Sequence, residues 1–130
     1  MVNGLNKVMV IGYLARNPEM RYTPNGKSVT NFCIACHRCW QGSDGNTHTD
    51  TDWFNVVAWG NLAETAKQRL HKGNLVYIEG RLQTRSWQDT QGKQRKSVEI
   101  IAHDLRLLSE QQKDENLEEE DCENYDGELS

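Results

Sequence analysis

The sequence contains no apolar run near the roughly 18 residues that a membrane-spanning helix requires. Its first residues, MVNGLNK, do not join a charged segment to a following apolar segment, so no secretory signal is predicted. They also lack the arginine- and serine-rich character of an organelle import peptide. We therefore expect a soluble, cytoplasmic protein.

The sequence also lacks the motifs that indicate catalysis. It has no glycine loop followed by Lys-Ser or Lys-Thr to hold phosphate, no H-E-x-x-H metal motif and no nucleophile elbow. Two of the four histidines, His71 and His103, are isolated along the chain from other chemically active residues. The sequence therefore predicts a protein that is not an enzyme and that uses no cofactor.

Charge is distributed unevenly along the 130 residues, whose formal net charge is −4. Residues 1–109 contain 14 Lys and Arg against 9 Asp and Glu, a net charge of +5, whereas residues 110–130 contain 1 against 10, a net charge of −9. The second segment has too little apolar surface to offset the entropy cost of folding. We therefore predict a folded domain over residues 1–109, suited to a polyanionic partner, and a disordered acidic tail over residues 110–130.

Alternation of apolar and polar residues predicts five strands in the folded domain. Residues 17–18 and 24–26 are predicted to form turns after the first strand, and residues 89–92 a turn between the last two strands. The polar residues 41–51 are predicted to be a hairpin loop. The predicted strands are residues 7–14, 29–40, 53–59, 75–87 and 96–102.

One helix is predicted over residues 61–71, between the third and fourth strands. Asn61 is a candidate N-cap, Glu64 completes a capping box, and Gly73 is placed to end the helix. Its apolar residues have the spacing of one buried face: Leu62, Ala63, Ala66 and Leu70. Five strands with a helix in this position predict an all-β OB-fold, a small Greek-key barrel.

The four tryptophans have positions that suggest a binding surface. Trp53 and Trp59 lie six residues apart on one predicted strand and so share a face, while Trp40 and Trp87 lie at the mouths of the two hairpins. Cationic residues cluster around these hairpins: Arg38, Arg85, Lys93, Arg95 and Lys96. Aromatic rings beside cations suit a single-stranded nucleic acid, because a duplex has no free base faces.

Other interpretations of these residues remain open. Large aromatic residues more often lie in a core or an interface, and a group of cations is often a solvated basic face. A protein-interaction module could use the same tryptophans to contact a protein. His48, Asp50 and Asp52 alternate and could share a face as a divalent-ion site, although a solvated hairpin arm is the favoured interpretation.

Three cysteines, Cys33, Cys36 and Cys39, form a C-x2-C-x2-C pattern that is open to a metal or redox interpretation. Residues three apart on a strand point to opposite faces, so Cys36 diverges from the other two. We therefore expect free thiols in a reducing cytosol and no metal site.

Six segments carry a resemblance to a known family: residues 6–14 (NKVMVIGYL), 17–22 (NPEMRY), 25–26 (NG), 52–60 (DWFNVVAWG), 62–64 (LAE) and 76–82 (VYIEGRL). In this order and spacing they resemble the bacterial single-stranded DNA-binding proteins over residues 3 to 108. The resemblance implies an OB-fold that assembles as a homotetramer. It also implies that the protein, in the cytoplasm at the nucleoid, binds single-stranded DNA without sequence preference and protects it during DNA replication, repair and recombination.

The resemblance also implies which residues contact DNA. The stacking aromatic residues of the family correspond to Trp40, Trp53, Trp59 and Trp87. Its basic DNA path maps onto Lys7, Arg21, Lys72, Arg81, Arg85 and Arg95. Asn55, Gln83 and Ser86 depart from the family pattern, since a basic residue is often found there.

The acidic tail is a second point of comparison with the family. The usual tail ends in acidic residues followed by an apolar Ile-Pro-Phe tip that docks replication and repair proteins. Here the sequence ends in YDGELS, so the acidity is present and the tip is not.

Overall fold

Six strands and one helix form the domain in the computed structural model, which describes residues 2–109. The predicted disordered tail, residues 110–130, lies outside the described residues. The elements are β1 (Val8–Leu14), β2 (Glu19–Tyr22), β3 (Ser28–Gln41), β4 (Thr47–Trp59), α1 (Asn61–Arg69), β5 (Leu75–Gln88) and β6 (Gln94–Ser109).

The strands form a sheet in the order β1-β5-β6-β4-β3-β2, and a further pairing between β1 and β3 closes five of them into a barrel. The β4–β6 pairing is parallel and the other strand pairs are antiparallel. A closed five-stranded barrel whose helix lies between β4 and β5 is the OB-fold that the sequence predicts.

Alternate residues of the strands fill the barrel. The largest fully buried side chains among them include Phe32, Leu14, Ile34, Ile78 and Ile100. α1 packs its predicted apolar face on this core, since Ala63, Ala66 and Leu70 are buried there and Leu62 is partly buried. α1 is nine residues long, and residues 2–109 contain no helix that is long and apolar enough to cross a membrane.

Both predicted ends of the helix require correction. The N-cap is Gly60, with a φ of 65°, and Asn61 is the first helical residue, with no capping hydrogen bond from a side chain. The hydroxyl groups of Ser28 and Thr30 on β3 donate instead to the carbonyl oxygens of Gly60 and Ala63, at 3.1 and 2.7 Å. The helix start is therefore fixed by tertiary contacts, which a local capping pattern does not report.

The helix ends at Arg69, before the predicted position. Leu70 is the C-cap, with extended backbone angles, because its side chain turns into the core. Gly73 does not end the helix: it lies in the following turn, with a φ of 92°, and donates its amide hydrogen to the carbonyl of Leu14 at 2.9 Å.

The sequence also missed β2 and the length of the first hairpin. β2 is short and largely exposed, and it pairs with β3 alone, so it carries no buried alternation to detect. The predicted loop over residues 41–51 is shorter, because β4 begins at Thr47 and pairs with β3 as far as Gln41. Residues 47–52 are polar on both faces of a solvated ribbon, so the sequence shows no alternation of apolar and polar residues there.

The predicted turns at residues 24–26 and 89–92 are confirmed by the amide-to-carbonyl hydrogen bonds that close them.

Candidate functional site

All four tryptophans lie on the surface of the domain. Their exposed fractions are 62% for Trp53, 45% for Trp59, 40% for Trp87 and 37% for Trp40. None of them belongs to the buried core of the described domain. The interpretation that these rings fill the barrel is therefore excluded.

Strand register places three of these rings on one surface. Residues directly opposite each other in a sheet, and residues two apart along a strand, point to the same side. Core residues such as Ile34, Val56 and Ile100 define the inner side, so the alternate residues of β2, β3, β4, β5 and β6 form what we call the outer face. Trp53 and Trp59 lie on the outer face of β4, and Trp87 lies on the outer face of β5.

Four of the predicted cations lie on the same outer face. Arg81 and Arg85 alternate with core-facing positions of β5, and Arg95 lies directly opposite Trp87. Arg21 of β2 lies opposite Val29, which in turn lies opposite Trp59. The sheet therefore brings three exposed indoles and four guanidinium groups, contributed by four strands, onto one surface.

The tip of the β5–β6 hairpin is the most cationic part of the outer face. The guanidinium carbon of Arg85 lies 5.0 Å from the centre of the Trp87 ring, a cation–π contact. Arg95 pairs with Asp89 at 3.0 Å. The backbone amide of Lys93, and then the side chain of Arg95, hydrogen-bond the carboxylate of Asp89 and lower its pKa. Asp89 therefore stays ionised and holds the turn and Arg95 in place.

Trp40 lies on the opposite side of the β3–β4 hairpin from Trp53. It lies opposite His48, in the set of alternate positions that also contains Cys36 and Asp52, whereas Trp53 lies opposite Ala35. Trp40 also has ring contacts within the domain: its centroid is 5.6 Å from that of His48, and the guanidinium carbon of Arg38 lies 5.7 Å from it. The register therefore separates Trp40 from the other three indoles.

The surroundings of Trp40 are acidic. Arg38 forms ion pairs with Asp52 at 2.8 Å and Asp50 at 3.6 Å, and the hydrogen bond to Asp52 raises the pKa of Arg38. His48 Nε2 lies 3.4 Å from Asp44, whose pKa is lowered chiefly by the backbone amide of Asn46. His48, Asp50 and Asp52 share a face, as the sequence predicted, on an exposed hairpin arm.

The two remaining predicted cations, Lys7 and Lys72, lie outside the paired strands. The amine of Lys7, just before β1, pairs with Glu79 of β5 at 3.2 Å. Lys72 lies in the loop between α1 and β5, and its backbone amide donates to the side chain of Asn17 at 2.8 Å. No strand pairing within residues 2–109 brings Lys72 onto the outer face.

The sequence reasoning missed Glu99, an acidic residue on the outer face. Glu99 of β6 lies between Asn55 of β4 and Gln83 of β5, so this cross-strand row carries no positive charge. Ser86, the third departure from the family pattern, lies on the other side of the hairpin, opposite Lys96. The sequence of one β-strand cannot reveal this row, because the parallel β4–β6 pairing joins residues that are more than 40 positions apart in the chain.

The cysteines are only partly as predicted. No register shift interrupts the β3–β4 pairing, so Cys36 points to the opposite side of β3 from Cys33 and Cys39. Cys33 and Cys36 are free thiols, and partial burial raises the pKa of Cys36. The prediction of a free thiol is wrong for Cys39, which is disulfide-bonded, because disulfide connectivity depends on which cysteines meet in space. Within residues 2–109, no group of three or more His, Cys, Asp or Glu side chains is arranged to hold a metal ion.

The family model described as Single-strand binding protein family matches residues 5–108, almost the whole described domain. The chain belongs to the single-strand binding protein family. This confirms the resemblance seen in the sequence and agrees with the prediction of a binding protein rather than an enzyme, since proteins of this family are not enzymes.

Named relatives in this family are similar over most of the domain. Single-stranded DNA-binding protein 1 of Chlorobaculum tepidum is 49% identical over 109 residues, which are 83% of this chain and 67% of that protein. Single-stranded DNA-binding protein of Neisseria meningitidis serogroup A is 44% identical over 104 residues, which are 80% of this chain and 60% of that protein. The chain thus spans about two thirds or less of the length of these relatives.

A solved structure from the same family has the same fold. The Plasmodium falciparum SSB complex with ssDNA superimposes with a TM-score of 0.78 at 29% sequence identity, and the match covers 84% of this chain and 99% of that chain. The OB-fold predicted from the sequence is confirmed by this likeness as well as by the strand order.

Proposed function

We propose that this protein binds single-stranded DNA on the outer face without sequence preference. The observation that carries the proposal is the presence of three exposed indoles and four arginines on the outer face of the sheet: Trp53, Trp59, Trp87, Arg21, Arg81, Arg85 and Arg95. The Plasmodium falciparum relative, whose structure is a complex with ssDNA, supports the same ligand.

The chemistry of the outer face favours single strands. Every base has a π-face, so stacking on indole tolerates any sequence and contributes about 1–3 kcal/mol per base. A duplex hides those faces in its own stack. The guanidinium groups neutralise phosphates and release counterions, which provides affinity without reading the sequence.

The roles of three predicted residues are less directly supported by the geometry. Contact of DNA with Trp40 stays a prediction. Because Trp40 lies on the other side of the β3–β4 hairpin, the side of Asp50 and Asp52, we expect it to contribute less affinity than Trp53. Contacts with Lys7 and Lys72 also stay predictions, and Lys7 must exchange its ion pair with Glu79 for a phosphate. Lys7 borders the outer face through Glu79 of β5, whereas Trp40 and Lys72 would extend the DNA path beyond that face.

In the cell, we propose that the protein protects transient single strands during DNA replication, repair and recombination, in the cytoplasm at the nucleoid. The division into a binding domain over residues 1–109 and an acidic tail over residues 110–130 is part of this proposal. Docking of replication and repair proteins on the tail also stays a prediction, because the tail lies outside the described residues.

Binding is expected to quench tryptophan fluorescence when oligo(dT) is added at low salt, because stacked bases quench exposed indoles. Four phosphate contacts predict that log K falls with log salt with a slope of about −3, from about −0.7 per contact on single strands. A duplex of the same length is the control and should give much less quenching. Saturating oligo(dT) that leaves the fluorescence unchanged would contradict the proposal and favour a protein-interaction module.

We also propose that the chain assembles as a homotetramer, beginning at the edge of β1. Residues 8–12 pair with β5 on one side, and no described strand pairs with their other side. Met9 and Ile11 on this strand are 61% and 49% exposed. An unpaired edge beside exposed apolar side chains is a favourable surface for pairing with a second copy.

Replacing Ile11 with aspartate is expected to reduce the assembly to smaller species, because a charge would be buried at the proposed contact. Light scattering of the full chain, whose own mass is 15.0 kDa, measures the change. Val98→Asp is the matched control, since Val98 is 56% exposed and lies on the β5–β6 hairpin. Equal masses for Ile11→Asp and the unsubstituted chain would show that β1 is not the contact.

A further inference from the structure

Two hairpins extend beyond the barrel as exposed ribbons of opposite charge. The acidic arm, residues 38–52 of β3 and β4, has three aspartates against one arginine, a net charge of −2. The basic arm, residues 85–96 of β5 and β6, has four Lys and Arg against one aspartate, a net charge of +3. Over these ranges each arm pairs with no other described strand. The side of the acidic arm that carries Trp40 is exposed, as are Lys93 and Lys96 of the basic arm, so these surfaces can meet a partner.

The acidic arm concentrates its charge on the side that carries Trp40. Asp50 and Asp52 share the single positive charge of Arg38, so negative charge remains, and the side chains of Asp44 and Asp50 are 54% and 61% exposed. The Trp40 ring already lies near the guanidinium of Arg38. Carboxylates around an exposed indole form a surface that attracts cations and repels phosphate.

The basic arm carries cations that its own structure does not neutralise. Arg95 is paired with Asp89, and Arg85 lies over Trp87. Lys93 and Lys96 are exposed and have no carboxylate partner within residues 2–109. These two ammonium groups are therefore available to an acidic surface.

We propose that the acidic arm of one copy of this chain docks on the basic arm of a second copy. The charges of the two arms are complementary, and each copy supplies both arms. The two surfaces in the contact are different, so the contact is heterologous and can repeat from one copy to the next. The contact leaves Trp53 and Trp59 available to DNA, whereas Arg85, Trp87 and Arg95 lie on the docked basic arm itself. The contact itself needs no DNA.

The test is sedimentation velocity of the full chain without DNA at two salt concentrations. At about 10 mM salt, where the Debye length is about 30 Å, we expect species larger than the oligomer that is present at high salt. At about 1 M salt, where it is about 3 Å, they should dissociate. The double variants Asp44→Lys/Asp50→Lys and Lys93→Glu/Lys96→Glu should each weaken the low-salt association by about tenfold or more, because like charges then face each other.

Mixing the two double variants provides the decisive measurement. The reversed acidic arm of one variant is complementary to the reversed basic arm of the other, so the mixture should regain association that neither has alone. Glu19→Lys/Glu64→Lys and Arg16→Glu/Lys27→Glu are the matched controls, because they make the same charge changes at exposed positions outside the arms. These controls should retain low-salt association.

Three results would overturn the proposal: no larger species at low salt, an equal loss of low-salt association in the arm variants and in the controls, or a mixture of the two arm variants that does not associate. Thermal melts of each variant establish that it is folded, and the mixture remains informative because a misfolded chain would not regain a specific contact. The proposal is separate from DNA binding, since oligo(dT) quenching of the unsubstituted chain can succeed while this association fails.

Discussion

Replacing Trp53 with alanine is expected to weaken binding of oligo(dT) by about tenfold to hundredfold. Loss of one stacked base removes about 1–3 kcal/mol, and about 1.4 kcal/mol corresponds to a factor of ten. Trp53 has the largest exposed fraction of the four indoles and lies in the same face of β4 as Trp59. Its removal should therefore reduce affinity while changing the stability of the domain by only about 0.5 kcal/mol.

The anisotropy of a dye-labelled oligo(dT) is the appropriate measurement, because each substitution changes the intrinsic fluorescence. Trp40→Ala is the matched control: the same side chain is removed from the opposite side of the β3–β4 hairpin. We expect it to weaken binding by less than about threefold, since its ring contacts Arg38 and His48 among carboxylates that repel phosphate. If Trp40→Ala costs as much affinity as Trp53→Ala, the DNA path is not confined to the outer face.

Replacing Gly80 with alanine is expected to destabilise the domain by about 2–4 kcal/mol. A glycine within a strand ordinarily makes a fold less stable than an alanine would, by about 0.5–1 kcal/mol. Strand propensity alone therefore predicts that this substitution stabilises the domain. Here the β5–β6 pairing is irregular between Glu79 and Gly80, and the two backbones approach closely. An added Cβ would overlap the carbonyl oxygen of Ile101 and lie 2.9 Å from its carbonyl carbon. Backbone atoms cannot rotate away, so the barrel must deform.

A thermal melt followed by circular dichroism measures this effect. For a domain of this size the midpoint should fall by roughly 10 °C or more. Gly4→Ala is the matched control, because no atom lies within 4 Å of a Cβ added at Gly4 and its stability change should stay within about 0.5 kcal/mol. A Gly80→Ala variant as stable as the unsubstituted chain would show that β5 and β6 can separate at this point without cost.

Short-range patterns in the sequence determined most of the barrel. Buried alternation predicted the strands whose core residues include Ile34, Val56 and Ile100, since period-two spacing directly reflects a strand with one buried side. The helix was visible from the spacing of Ala63, Ala66 and Leu70. β2 and residues 47–52 were missed because neither buries an alternating face.

The candidate site was only partly accessible in the same way. The sequence identified the four tryptophans and the cations near them, because residue type and hairpin position are local properties. It could not identify Glu99 as part of the outer face, since that depends on a parallel pairing with Asn55 of another strand. Nor could the sequence show that Trp40 and Trp53 point to opposite sides of the hairpin. They lie on different strands, and which residues of two strands share a side is known only from the register of their pairing.

By itself, then, the sequence determined the barrel, the family, and the presence of indoles beside cations in a basic domain, since these follow from spacing, composition and residue identity. Only the tertiary structure decided which side of each strand carries which ring and which charge. The physical reason is that a shift of one residue in the pairing of two strands moves every side chain to the other face. It is this register that collects Trp53, Trp59 and Trp87 on one surface and leaves Trp40 among carboxylates.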